Sequence, residues 1–143
     1  MKKFLFMILS GLCAMPVYAQ IGFGDYWMDC KSNDQKSVEV FIGDDAITSS
    51  GSQRKKMRRQ GMVGMLWDVD FFNSNKKNLN RKIVWAKPMK LSDTSYRMAF
   101  PGHKPFVFRH LPFEMNKPSV RIDMEGGGFL ECYVNLEMLN KGW

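Results

Sequence analysis

Tyr26-Trp27-Met28-Asp29-Cys30-Lys31 alternates along its length. Tyr26, Met28 and Cys30 point one way, and Trp27, Asp29 and Lys31 point the other. A period of two residues marks a strand with one packed face and one wet face. Trp27 falls on the wet side of that pattern, so exposure is expected for it. The same period recurs outward from this stretch. Val38, Val40 and Ile42 repeat it and stop at Gly43-Asp44-Asp45. Leu66 to Phe72 sets Trp67, Val69 and Phe71 against Asp68 and Asp70. Ile83 and Trp85 share a face within Arg81 to Ala86, before Pro88. Tyr96, Met98 and Phe100 are in phase up to Pro101-Gly102, and Phe106 and Phe108 follow. Val120, Ile122 and Met124 lead into Gly126-Gly127-Gly128, and Leu130, Cys132, Val134 and Leu136 close the series. About eight short strands separated by turn residues predict an all-β fold, an antiparallel β-sandwich or small barrel.

Composition agrees with that reading. At 143 residues the chain has room for one domain. A hydrophobic content of 45% and an aromatic content of 13% exclude a disordered protein. Six prolines and twelve glycines argue against a helical bundle.

The first nineteen residues read as an address. Lys2 and Lys3 precede an apolar run from Phe4 to Ala14, Pro16 breaks it, and Val17-Tyr18-Ala19 offers a small residue for cleavage. The run is shorter than the roughly 20 residues of a spanning helix. The expected division is a cleaved signal peptide over 1–19 and a single β-rich domain over 20–143. Leu12 stands before Cys13 where a lipobox needs a small residue, which argues against lipidation. Loss of the leader leaves nineteen basic and fourteen acidic residues, a charge of +5. It also leaves two cysteines, Cys30 and Cys132. An even pair in an exported chain predicts one disulfide. Both cysteines lie on the apolar side of their strands, so the bond would join the first and last strands. In the chain-entropy model a loop of about 100 residues contributes roughly 4–5 kcal/mol. The expected location is the periplasm of a Gram-negative bacterium, or secretion beyond it.

The segment from 43 to 61 differs from the rest. It holds Ser49-Ser50-Gly51-Ser52 and then five cations in six positions, Arg54-Lys55-Lys56-Met57-Arg58-Arg59. Like charges repel and keep a chain solvated, and loops beyond about 12–15 residues are commonly functional. A long basic loop is the expectation. A helix over Lys55 to Leu66 competes with it but would be interrupted by Gly61 and Gly64. Arg54, Lys55, Lys56, Arg58 and Arg59, with Trp27, are the candidate binding residues. Their partner is expected to be a protein or an anionic envelope surface, and export argues against nucleic acid.

Motifs for chemistry are sparse. The mature chain has two histidines, His103 and His110, and seven residues of strand would hold them about 23 Å apart. The odd spacing also turns them to opposite faces, so no metal site is expected. Asp68 and Asp70 share a strand face at about 6–7 Å, near the carboxylate spacing of glycosidases. They come from one element, however, where such pairs come from two. No Gly-x-Ser-x-Gly nucleophile elbow is present. Gly126-Gly127-Gly128 lies between strands and lacks the helix N-terminus that binds phosphate. No catalytic residue and no cofactor is therefore expected.

The opening Tyr26-x-x-x-Cys30 before an alternating strand resembles small bacterial periplasmic lysozyme inhibitors, which are β-rich. The resemblance stops with this short stretch, so no inhibitory residue is carried over. The expected function is that of a non-enzymatic periplasmic or secreted binding protein: an inhibitor or immunity protein, a secretion accessory or an adhesin subunit. The alternatives are a lectin-like module that binds sugar through exposed tryptophans, and a small envelope hydrolase built on Asp68, Asp70 or a histidine.

Overall fold

The structure is a computed structural model, and it describes residues 24–43, 51–68, 70, 73, 78, 79 and 82–135. The expected signal peptide lies outside them. Among the described residues these elements follow in chain order: β1 (Asp25–Ser32), β2 (Ser37–Gly43), α1 (Gly51–Arg59), β3 (Val63–Trp67), β4 (Val84–Ala86), β5 (Met89–Lys90), β6 (Ser95–Met98), β7 (Phe106–His110), β8 (Val120–Met124) and β9 (Phe129–Val134). All nine strands form one sheet in the order β4-β3-β2-β1-β9-β8-β7-β6-β5, and every pairing is antiparallel.

The connection from β4 to β5 explains the shape. These strands are the two edges of the sheet, yet only Lys87 and Pro88 separate them. Three Cα–Cα steps of about 3.8 Å limit the span from Ala86 to Met89 to about 11 Å. The sheet therefore curls into a half-barrel whose edges meet at this link. β4 and β5 behave as one strand broken at Pro88, which has no N–H to donate to a ladder. The first half pairs with β3 and the second with β6. Counted as one, they make an eight-membered meander, and only an even number of strands lets an antiparallel sheet curl back on itself in phase. The sequence pattern anticipates the eight, while β5 is too short to register in it.

The concave face holds the main core. Met28, Cys30, Val40, Ile42, Val63, Met65, Met98, Phe106, Phe108, Val120, Ile122 and Cys132 are buried there. Cys30 and Cys132 face each other across β1 and β9 and form the expected disulfide, with Cα atoms 4.0 Å apart. The bond joins the first and last strands and indicates an oxidising compartment outside the cytoplasm. Among the described residues, no helix is long and apolar enough to cross a membrane.

A second cluster sits on the convex face. Trp27 and Phe41 are opposite each other on β1 and β2, with ring centroids 4.7 Å apart, and Leu66 of β3 lies beside Phe41. Leu79, from the connection between β3 and β4, covers them. Trp27 is only 2% exposed. This corrects its expected exposure. The alternation of β1 is intact, but the outer face of a strand is wet only where no other segment lies on it. Farther round, the outer wall is polar and paired. Arg109 and Arg121 both donate to Asp123, Arg97 donates to Glu125, each at 2.8 Å, and Arg121 also lies 3.9 Å over the Phe129 ring.

Two further differences concern the middle of the chain. The strand expected over Leu66 to Phe72 starts earlier and ends at Trp67, because Asp68 has a positive φ of 55° that breaks the extended path. The basic segment, expected as a loop, contains α1. Lys and Arg are good helix formers, and Lys56, Arg58 and Arg59 in the last turn oppose the negative end of the helix dipole. Gly61, read above as an interruption, is the stop signal. With φ of 69° it turns the chain so that its N–H donates to the Arg58 carbonyl and that of Met62 donates to the Met57 carbonyl, each at 3.0 Å. That double bond pattern is a Schellman cap.

Candidate functional site

Strand polarity sorts the connections into two rims. Gly43 pairs with Asp25 and Gly64, Val63 with Ala86, Ser95 with Arg109, and His110 with Val120. The near rim therefore carries the β2–β3 connection with α1, the β5–β6 turn at 91–94 and the β7–β8 loop at 111–119. The far rim carries 33–36, 68–83, 101–105 and 125–128.

Four of the five predicted cations, Lys55, Lys56, Arg58 and Arg59, are exposed on α1 at the near rim. Arg54 lies in the same helix, and its side chain is outside the described residues. Ser52, Lys55, Lys56, Arg59 and Gln60 line one shallow groove, as positions i, i+3, i+4, i+7 and i+8 of a helix should. Met57, roughly 140° round the axis from the middle of that stripe, is the half-buried residue. The helix thus has a cationic outer face, with Met57 on the opposite side. Among the described residues, Lys55, Lys56 and Arg59 have no carboxylate partner, whereas Lys36, Lys90, Arg97, Arg109, Lys117 and Arg121 each have one. The end of α1 lies beside the β4–β5 link: a side chain at Gly61 would meet Lys87 Cε at 3.7 Å.

Inside the same rim, Tyr26, Tyr96, Phe108 and His110 form an aromatic cluster. His110 lies 5.1 Å from Phe108, 5.3 Å from Tyr26 and 6.3 Å from Tyr96 between ring centroids. Burial pushes the His110 imidazole below its ordinary value. Burial raises the Tyr26 hydroxyl, with Tyr96 and Asp25 adding to the rise. These groups pack as a plug in the mouth of the barrel.

The other chemical candidates are dispersed. His103 is at the far rim, 6.1 Å from the Trp67 ring, a barrel's length from His110. Among the described residues, no three His, Cys, Asp or Glu side chains are grouped to hold a metal ion. Asp68 and Asp70 line an open groove on the outer wall with Asp29, Glu39, Lys31 and Tyr133, and neither histidine reaches it. Asp70 accepts from the Asn73 side chain at 2.7 Å. Trp67 and Trp85 are partly buried, and Trp143 lies outside the described residues.

Sequence reasoning missed the exposed apolar tips. Phe113 is 84% exposed and Met115 81% exposed in the β7–β8 loop, and Leu91 and Met89 are about half exposed at the β5–β6 turn. Phe113 stands next to Pro112 in a stretch with no alternation, and that position was the available signal. No family model, curated protein or solved structure matches the chain.

Proposed function

We propose that this protein is a non-enzymatic binding protein of the bacterial envelope, periplasmic or secreted, that holds a macromolecular partner at its near rim through the cations of α1. The observation that carries the reading is the folded form of the basic segment. Its four described cations are exposed on a capped helix, and three of them, Lys55, Lys56 and Arg59, lack the carboxylates that the arginines of the outer wall have. An anchored cluster of like charge is costly to keep unless something anionic meets it. The disulfide supports the compartment, because cystines persist where thiols are oxidised.

The test compares the processed protein with a variant carrying Arg54→Gln, Lys55→Gln, Lys56→Gln, Arg58→Gln and Arg59→Gln. Gln keeps the helix propensity. Both proteins are immobilised and exposed to bacterial envelope extract at low and high salt, and the retained protein and phospholipid are measured. The expected result is retention that falls with salt and is lost in the variant. Equal retention by both proteins at both salts overturns the proposal.

A further inference from the structure

All four exposed large apolar residues among those described belong to one rim of the barrel. Phe113 and Met115 project from the β7–β8 loop, and Met89 and Leu91 flank the β5–β6 turn. This is also the rim that carries α1. The sheet order spreads them round the mouth. α1 bridges β2 and β3, Phe113 and Met115 lie across the mouth between β7 and β8, and Met89 and Leu91 lie on the arc between the two. Lys87 and Lys90 continue the cationic arc toward the apolar one, and Lys117 lies within it. The acids of this rim that pair with those lysines are Asp93, 3.1 Å from Lys90, and Glu114, which pairs with Lys117.

From this arrangement we infer that the near rim docks on the surface of an anionic phospholipid bilayer, with Phe113, Met115 and Leu91 entering the headgroup and acyl boundary and the α1 cations at the phosphate level. The inference rests on the proposed function and names its partner. Two features favour a bilayer over an acidic protein face. The apolar groups are separate tips on two connections, not the contiguous central patch that a protein partner covers. A plane meets both arcs of the rim at once, whereas a convex partner reaching one arc leaves the other in water. An interfacial site combines buried apolar area with attraction to anionic lipid. Each Lys or Arg near such a surface adds a contribution that salt screens.

The test is co-sedimentation of the full processed protein with vesicles of phosphatidylcholine alone and of phosphatidylcholine mixed with phosphatidylglycerol. Three proteins are compared: the unchanged chain, the five-Gln variant, and a variant with Phe113→Ser and Met115→Ser. The expected result is binding to the anionic vesicles only. It should weaken about fivefold for each cation removed, and tenfold or more in the Phe113→Ser, Met115→Ser variant. Both variants keep their fold, checked by circular dichroism, because the described side chains among those altered are exposed and Gln keeps the helix propensity. Equal binding to neutral and anionic vesicles overturns the inference, as does unchanged binding of the serine variant. Absence of vesicle binding, with soluble envelope protein still captured through the α1 cations, overturns it too but leaves the proposed function standing. If capture also ignores the cations, both fail.

Discussion

At the far rim the chain turns back within a few residues at 33–36, 101–105 and 125–128, and its one long connection is tied down. Leu79 within 68–83 packs against Trp27, Phe41 and Leu66 on the convex face. At the near rim the long connections end differently. The β7–β8 loop has three large apolar residues, Leu111, Phe113 and Met115, and where Leu79 of 68–83 is buried, Phe113 and Met115 point into solvent. The charges differ in the same way. Acids of the groove toward the far rim, Asp29, Glu39, Asp68 and Asp70, have Lys31 and polar neighbours among them, while α1 concentrates cations with no acid in its sequence. Apolar side chains in a long loop stabilise the fold when they find a partner in the same chain. When they do not, they cost solubility and conformational freedom without return. The far rim and the walls thus carry stability, and the near rim carries sequence the fold does not need.

This division can be broken by measurement, and the largest effect should come from the link common to both rims. Reducing the disulfide, or making Cys30→Ala with Cys132→Ala, should lower the unfolding free energy by about 4–5 kcal/mol, since it closes a separation of 102 residues. Denaturant titration reads it, and both rims should unfold in the same transition. A near rim that melts separately would show that it is not part of the cooperative unit.

Next in size is the convex cluster. Trp27→Ala should cost roughly 3–5 kcal/mol by cavity formation. Leu79→Ala should cost about 2–5 kcal/mol and open 68–83 to limited proteolysis before the rest. A loss below about 0.5 kcal/mol in Trp27→Ala would mean that the cluster does not hold the far connection.

A smaller effect comes from acid. His110 has a folded pKa below its ordinary 6.5 because of burial, among Phe108, Tyr26 and Tyr96, with Asp25 near Tyr26. The unfolded chain therefore takes up the proton first. Its contribution to stability is complete above about pH 6.5 and is lost as pH falls through the folded value. The Tm of the native chain should drop more than that of His110→Phe between about pH 7 and about pH 5. Parallel curves would exclude His110 as a source of acid sensitivity. Asp123 adds a component at lower pH. Partial burial raises its carboxyl, but the hydrogen bonds and charges of Arg121 and Arg109 outweigh that and hold it below the usual range. Its contribution disappears only as pH falls through that depressed value.

The smallest effect on stability is expected where the effect on binding is largest. Phe113→Ser with Met115→Ser should change the unfolding free energy by no more than about 0.5 kcal/mol, as for exposed positions in general. A loss of several kcal/mol would place these side chains in the core and remove the contrast between the rims.

The candidate site was only partly legible. The five cations stand together in the sequence, so their cluster could be read directly, but their helical form depended on the cap at Gly61. Gly61 carries two meanings, interruption and stop, and only the bonds to Arg58 and Met57 choose between them. Trp27 misled because alternation tells which side of a strand a residue occupies and not what covers that side.

Local periodicity by itself determined that the fold is a series of short strands and which face most of their residues take, and the pair of cysteines left in an exported chain determined the disulfide between the first and last of them. The periodicity depends on neighbours two residues apart and the cysteine pair on a count, so a one-dimensional pattern contains both. Tertiary structure alone decided that the sheet curls until β4 meets β5, that Leu79 closes over Trp27, and that α1 and Phe113 share one rim. The last two bring together residues far apart in the chain and the first joins the two edges of the sheet; all three follow from closure and strand direction, which no local period records.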